Sequence, residues 1–172
     1  TERIASEVSL SGTGVIVDDD EDQFRQRHRV PTDGFGGIEN LYMEWLYGED
    51  VSVKLEGRGI IDANDYLAKI RVDKPEKGYL SAGYREFRTW YDGTGGFFPQ
   101  NSTIFSIFDE NLKLDRGEGW VEAGVRAPNA PNLTFRYAHF SRDGEKSSTS
   151  WGETTLTGGL GTRSIVPAFW DI

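Results

Sequence analysis

Four acidic residues in one stretch have a spacing that could support acid–base chemistry. Asp109 and Glu110 are followed closely by Asp115 and Glu118, and glycoside hydrolysis uses two carboxyl groups held about 5 to 9.5 Å apart. Carboxylates are also common in any acidic loop, and the spacing fixes no distance between them. We therefore predict no catalytic residue here, and we do not expect the chain to be an enzyme.

Metal and cofactor chemistry has few candidate residues. The acidic run at 18–22 could hold calcium, but it lacks the glycine that an EF-hand loop needs at its sixth position, which favours a solvated turn. The segment 24–30 carries three arginines and is expected to offset this run. His28 and His139 are the only histidines and lie far apart, and with no cysteine the chain has no thiolate ligand. We predict no metal site and no cofactor, and only a cation at 18–22 stays open.

The overall charge excludes one class of partner. The 172 residues carry a formal net charge of −9, whereas a nucleic-acid-binding surface is normally basic. We therefore predict no nucleic-acid partner.

The length of the chain suits one domain with a full core. No apolar run in the sequence is long enough for a transmembrane helix.

Apolar and polar residues alternate along most of the chain, which is typical of β-strands with two different faces. The alternating segments are 6–17, 36–47, 51–61, 66–72, 120–126 and 133–142, with a further aromatic strand from Tyr79. Short turns separate them and nothing resembles a crossover helix. The pattern predicts an all-β, antiparallel up-and-down meander. A long loop is expected at 101–119.

The aromatic strand ends at a break that allows two functional interpretations. Tyr84, Phe87, Trp90 and Tyr91 precede a glycine-rich break at 92–96, which we interpret as a turn because it lacks the lysine and helix of a phosphate loop. Aromatic rings beside a polar loop are typical of a strand leaving a bilayer. They are equally typical of a sugar-binding rim on a soluble β-sandwich.

The faces of the predicted strands separate apolar from charged residues. In a barrel, the apolar stripes would meet lipid: Val53, Leu55, Ile70, Val72, Val121, Val125, Leu133 and Phe135. The charged residues of the other face would line the interior: Lys54, Glu56, Arg58, Lys69, Arg71, Glu122, Arg126 and Arg136. The aromatic anchors at the membrane interface would be Trp45, Tyr84, Trp90, Tyr91 and Trp120. Glu86 and Arg88 share the face of Leu80, so this strand must have left the hydrocarbon by Glu86.

Three stretches carry a resemblance to a known family. The stretch 6–45 (SEVSLSGTGVIVDDD…GGIENLYMEW), the stretch VSVKLEGRGIIDANDYLAKI and the stretch KGYLSAGYREFRTWYDGTGGFF resemble the N-terminal part of outer-membrane β-barrels associated with decahaem cytochromes (the MtrB/PioB family). The resemblance implies a bacterial outer-membrane location and a porin-like sheath around a periplasmic multihaem cytochrome, through which electrons cross the membrane. No residue of this chain indicates the cytochrome itself.

Two expectations about the whole molecule follow. Barrels of the family are several times longer than this chain, so we expect the N-terminal portion of a larger barrel rather than one complete barrel over 1–172. The competing function is a soluble, secreted β-sandwich that binds carbohydrate through exposed tryptophans such as Trp90.

Overall fold

The structure of the protein is a computed structural model. It describes residues 3–48, 50–92, 96–98, 103–105, 112–126, 128, 131–146, 148–155 and 163–171. Within these residues, no helix has both the length and the apolar character needed to cross a membrane.

One antiparallel sheet of seven strands dominates the described residues, in the order β1-β2-β3-β4-β5-β8-β9. Its strands are β1 (Arg3–Thr13), β2 (Phe35–Tyr47), β3 (Val51–Ile61), β4 (Asp65–Lys74), β5 (Gly78–Trp90), β8 (Lys113–Val125) and β9 (Leu133–Gly144). Two separate hairpins pair β6 (Gly96–Phe98) with β7 (Thr103–Phe105) and β10 (Ser148–Thr155) with β11 (Arg163–Asp171). The predicted all-β meander is confirmed. Within the described residues, β1 and β9 form the two edges of the sheet.

Turn chemistry explains the tight connection between β3 and β4. Asp62 and Asn64 adopt the left-handed conformation, with φ of 68° and 49°. Asp and Asn tolerate this region better than other non-glycine residues, because their short polar side chains bond locally. The turn brings Gly59 opposite Tyr66 and sets the register of the whole pair.

The chain between β1 and β2 contains a helix, α1 (Glu21–His28), where the sequence pattern predicted only a solvated turn. The Asp20 side chain caps it by accepting a hydrogen bond of 2.9 Å from the Gln23 backbone N–H. Acidic residues occupy the first turn and basic residues the last, which favours the helix dipole at both ends. The acidic run therefore starts a helix, and its expected charge partner is local: Asp22 pairs with Arg25.

Strand β8 begins earlier than the alternation predicted. It starts at Lys113, so the loop expected over 101–119 was wrong for its last seven positions, and β7 lies within the same stretch. The charged residues Asp115 and Glu118 made this segment resemble a loop. They are strand residues on opposite faces, because successive side chains of a strand alternate.

The long connections leave the sheet at one end. Residues 14–34, which include α1, and residues 91–112 both join strands at the end where β3 turns into β4. The opposite end carries the connections 48–50, 75–77 and 126–132. Few apolar side chains are buried among the described residues, namely Ile60, Trp90, Leu112 and Leu114. Among the described residues, the middle of the sheet therefore buries no large apolar side chain on either face.

Candidate functional site

One face of the sheet carries continuous rows of apolar side chains. Val53, Val72 and Leu80 lie opposite one another on β3, β4 and β5, and the row continues through Ala123 and Phe135 on β8 and β9. Two neighbouring rows are Leu55–Ile70–Ala82–Val121–Tyr137 and Gly57–Ala68–Tyr84–Gly119–His139. We call this surface the apolar face. The register places every residue of the predicted lipid-facing stripes on it.

These apolar side chains are largely open in the part of the chain that the structure describes. The exposed fraction is 54% for Leu80, 50% for Val121, 64% for Phe135 and 70% for Tyr137. Large contiguous apolar surfaces of this kind are rare on soluble monomers and mark contact with a membrane or a partner. We therefore expect a membrane or a partner to cover the apolar face.

The apolar rows stop at a polar boundary near the long connections. Arg88 binds Asp115 through two hydrogen bonds of 2.7 Å, from Nε to Oδ1 and from Nη2 to Oδ2. The side-chain amide of Asn64 donates to Asp115 at 3.0 Å and to Glu86 at 3.3 Å. As the sequence predicted, Glu86 and Arg88 share the face of Leu80, and they lie beyond the last apolar row.

Arg88 and Asp115 form a charged pair at this boundary, which is accessible to water. The guanidinium of Arg88 lowers the pKa of Asp115, with a smaller contribution from the Asn64 amide. The hydrogen bonds between Arg88 and Asp115 also raise the pKa of Arg88. Both groups therefore stay charged over the physiological pH range.

The opposite surface, here called the charged face, carries all eight residues predicted to line an interior. Ion pairs join them to one another or to neighbours on the same face, mostly across strands. The N–O distances are 3.4 Å for Lys54–Glu44, 2.9 Å for Arg58–Asp65, 2.9 Å for Lys69–Glu56, 2.9 Å for Arg71–Asp73, 3.2 Å for Arg126–Asp73 and 3.5 Å for Arg136–Glu122. Charges of both signs therefore neutralise one another on this face.

Glu118 is the most buried carboxylate of the charged face. Its side chain is 8% exposed and binds Arg85 at 2.6 Å and Arg136 at 2.9 Å. Sequence reasoning missed both Glu118 and Arg85 as members of this face. The even spacing from Glu118 to Glu122 was the available signal, and the loop expected at 101–119 concealed it.

Aromatic rings also lie flat on the charged face, over glycines. The Tyr79 hydroxyl donates to Glu122 at 2.6 Å, and the guanidinium of Arg71 lies 3.8 Å from the centre of the Tyr79 ring. A Cβ at Gly124 would lie 2.1 Å from the Tyr79 ring, so only glycine leaves room for it. The guanidinium of Arg126 lies 5.8 Å from the centre of the same ring, so Tyr79 has two arginines and a carboxylate around it.

The five predicted interface aromatics do not share one surface. Trp45 and Tyr84 lie on the apolar face. Trp90 is only 5% exposed and is part of the small core near the long connections, while Tyr91 accepts a hydrogen bond of 3.1 Å from Arg116. Trp120 lies on the charged face, opposite Gly83. Trp90 and Trp120 are therefore not placed as interface anchors, because one is enclosed and the other faces away from the apolar rows.

The residues considered for catalysis are not brought together. Asp115 and Glu118 extend from opposite faces of β8, so they cannot act on one bond. His28 stacks against Phe24 on α1, with ring centres 4.5 Å apart, and His139 lies on β9. Asp109 and Glu110 fall outside the described residues, as does most of the glycine cluster.

The described residues contain no group of three or more His, Asp or Glu side chains arranged to hold a metal ion. In the acidic run, Asp20 caps α1, Asp22 binds Arg25, and Glu21 accepts a hydrogen bond of 3.1 Å from Thr32. The carboxylates with these partners are thus engaged in holding the helix and the segment after it.

Comparisons of the chain with family models, with curated proteins and with solved structures each found no match. The two unlike faces of the sheet therefore carry the functional argument.

Proposed function

We propose that this chain forms part of the wall of a porin-like β-barrel in a bacterial outer membrane. The observation that carries the proposal is the exposed apolar face, whose rows cross five strands and end at the polar boundary around Arg88 and Asp115. In a membrane barrel, strands alternate between side chains that face lipid and polar side chains that face the interior.

The dimensions of the sheet support a bilayer. Strand β3 runs from Val51 to Ile61, 11 residues, and a tilted strand needs about 9–11 residues to cross the hydrocarbon. The strand pairing places Glu86 level with Gly59 of β3, and the Arg88–Asp115 pair is the next pair on this face. The charged groups therefore stand at the last residues of the strands, where they would meet water. A charge at mid-membrane would cost roughly 2–4 kcal/mol, and the apolar rows carry none.

The charged face supports an enclosed aqueous interior. Its arginines, lysines and carboxylates pair across strands, so the wall is polar but nearly neutral where the pairs are densest. In a bilayer the edges β1 and β9 must be paired as well, because lipid cannot satisfy backbone N–H and C=O groups. Those edges would pair with each other or with further strands of a larger barrel.

Site-directed labelling tests the proposal directly, because the chain has no cysteine. Val121→Cys would place a nitroxide label on the apolar face, and Thr134→Cys would place one on the charged face as a matched control. In protein folded into phosphatidylcholine vesicles, we expect high oxygen accessibility at position 121 and high accessibility to a water-soluble nickel complex at position 134. Equal accessibility at both positions would contradict the proposal.

The competing function is a soluble β-sandwich that binds carbohydrate. In that case the chain would remain a folded monomer in buffer without detergent, and a second sheet would shield the label at position 121 from both reagents. The structure weakens this alternative at one point, because Trp90 is only 5% exposed and has little surface for stacking on a sugar.

The sequence resemblance adds one specific occupant of the interior, a periplasmic multihaem cytochrome. Under this proposal the wall is a sheath and the electrons travel through the haems. Vesicles that contain the barrel and a multihaem cytochrome should reduce an enclosed dye from an external donor, while vesicles with either protein alone should not. A barrel that conducts small ions without any cytochrome would instead indicate an open porin.

A further inference from the structure

A group of arginines on the charged face is not neutralised as its neighbours are. Arg116 on β8 lies directly opposite Arg142 on β9 and next to Phe87 on β5. In the adjoining row, Arg85, Glu118 and Phe140 lie opposite one another on the same three strands. These six residues form what we call the arginine cluster.

Charge balance sets the arginine cluster apart. It holds three arginines and a single carboxylate, and Glu118 is already shared between Arg85 and Arg136. Among the residues that the structure describes, neither Arg116 nor Arg142 forms an ion pair with a carboxylate. Like charges directly opposite each other destabilise a sheet, so an excess of this kind in a chain of net charge −9 calls for a counter-charge.

Arg116 also has an unused donor. Its Nη2 donates to the Tyr91 hydroxyl at 3.1 Å, but its Nε is buried and has no hydrogen-bond partner within the described part of the chain. A buried donor without a partner is destabilising, because it has lost its hydrogen bonds to water. An anion bound beside this guanidinium would balance its positive charge.

The space beside these groups is small and partly apolar. Arg85, Arg116 and Arg142 line a cavity of about 180 Å³, together with Phe87 and Phe140. Glu118 lines it as well, and its charge is balanced by Arg85 and Arg136. Phe87 is 40% exposed and Phe140 68% exposed, although both lie on the charged face. Pockets for drug-sized ligands measure roughly 300–1,000 Å³, so this cavity suits a smaller molecule whose ring can lie against phenylalanine.

We propose that the arginine cluster binds a small organic anion, a carboxylate that carries an aromatic or other apolar group. The carboxylate accepts hydrogen bonds from Arg116 and Arg142, and the apolar group lies against Phe87 and Phe140. This deepens the proposed function, since the cluster lies on the face assigned to the barrel interior. Binding itself needs only the folded sheet.

Calorimetric titration of the folded chain in detergent with benzoate tests this proposal, with acetate and benzyl alcohol as comparison ligands. We expect saturable benzoate binding, weaker binding of acetate, and no binding of the uncharged alcohol. Arg142→Gln should lower the affinity for benzoate about tenfold or more, as loss of a charge-assisted hydrogen bond does. Arg27→Gln, the same change on α1, should leave the affinity unchanged.

Three results would overturn the proposal. They are absence of saturable benzoate binding, wild-type affinity in the Arg142→Gln variant, and equal affinity for acetate and benzoate. Phe140→Ala is a second variant with little risk to folding, because its ring is mostly exposed, and it should weaken benzoate more than acetate. Failure of the membrane proposal would appear in the labelling of position 121 and not in this titration, so the two failures can be distinguished.

Discussion

Arg88 and Asp115 lie directly opposite each other on β5 and β8 and bind through two parallel hydrogen bonds of 2.7 Å. The pair occupies the same face as Leu80 and Val121 but stands beyond the last apolar row. Along this one face of the sheet, the side chains therefore change from apolar to charged at one level. In the proposed barrel, this change would mark the level at which the wall leaves the hydrocarbon.

Replacing Asp115 with asparagine should destabilise the protein. The change removes the charge that satisfies Arg88, whose side chain is only 18% exposed, and loss of a charge-assisted hydrogen bond costs about 1–3 kcal/mol. Urea unfolding in detergent would measure the lower free energy of unfolding. Asp33→Asn is the control, because Asp33 is exposed and forms no ion pair with any described residue. Equal stability of the two variants would show that the pair contributes nothing.

Asp115 should also make the stability of the protein depend on pH in the acid range. Arg88 holds the pKa of Asp115 below its ordinary value near 3.9, so the folded state favours the ionised form. This stabilisation is complete above about pH 4 and is lost as the pH falls through the lower, folded-state pKa. Unfolding measured across this acid range should show a smaller loss of stability in Asp115→Asn than in the wild type. If the free energy of unfolding fell equally with pH in both proteins, Asp115 would make no contribution to the acid sensitivity.

A charge in the middle of the apolar face should impair insertion into membranes. Val121→Arg places a guanidinium in the central apolar row, at a cost of roughly 2–4 kcal/mol if that row meets lipid. Thr134→Arg adds the same side chain on the charged face and should be tolerated. The folded fraction in phosphatidylcholine vesicles, measured by protease protection, would compare them. Insertion of Val121→Arg at the wild-type level would contradict a lipid-facing row.

Gly83 should not tolerate a methyl group. A Cβ there would lie 2.4 Å from the ring of Trp120 and 2.9 Å from the carbonyl oxygen of Ala68, so Gly83→Ala must displace the tryptophan. Overpacking of this kind typically costs about 1–3 kcal/mol. Tryptophan fluorescence and urea unfolding should both change. Gly59→Ala is the matched control, because its Cβ would meet only the Tyr66 ring at 3.9 Å.

Alternation predicted the strands well where side chains repeat with a period of two. The segment Val51–Ile61 was predicted with its observed bounds, and the faces of Leu55 and Lys54 follow directly from that period. The irregularity in β2 between Ile38 and Leu41, which shifts its register with both β1 and β3, has no such local pattern. It depends on which strands become neighbours.

Helix α1 and the arginine cluster escaped prediction for different reasons. The cap at Asp20, the acidic first turn and the basic last turn were all present in the sequence, but the acidic run was interpreted as a solvated turn. The opposition of Arg116 and Arg142 depends on the register between β8 and β9, which the sequence does not encode locally. The early part of β8 was also hidden by the carboxylates of Asp115 and Glu118, which are paired with arginines of neighbouring strands.

The uneven distribution of connections gives the sheet two unlike poles. One pole carries α1 and the segment 91–112, and the other carries mainly short turns. If the chain is the barrel wall proposed above, insertion would be vectorial, because the pole with short turns can pass through a bilayer more easily than the pole with the helix. Every copy would consequently adopt one orientation, and a docking protein on either side of the membrane would meet the same pole each time.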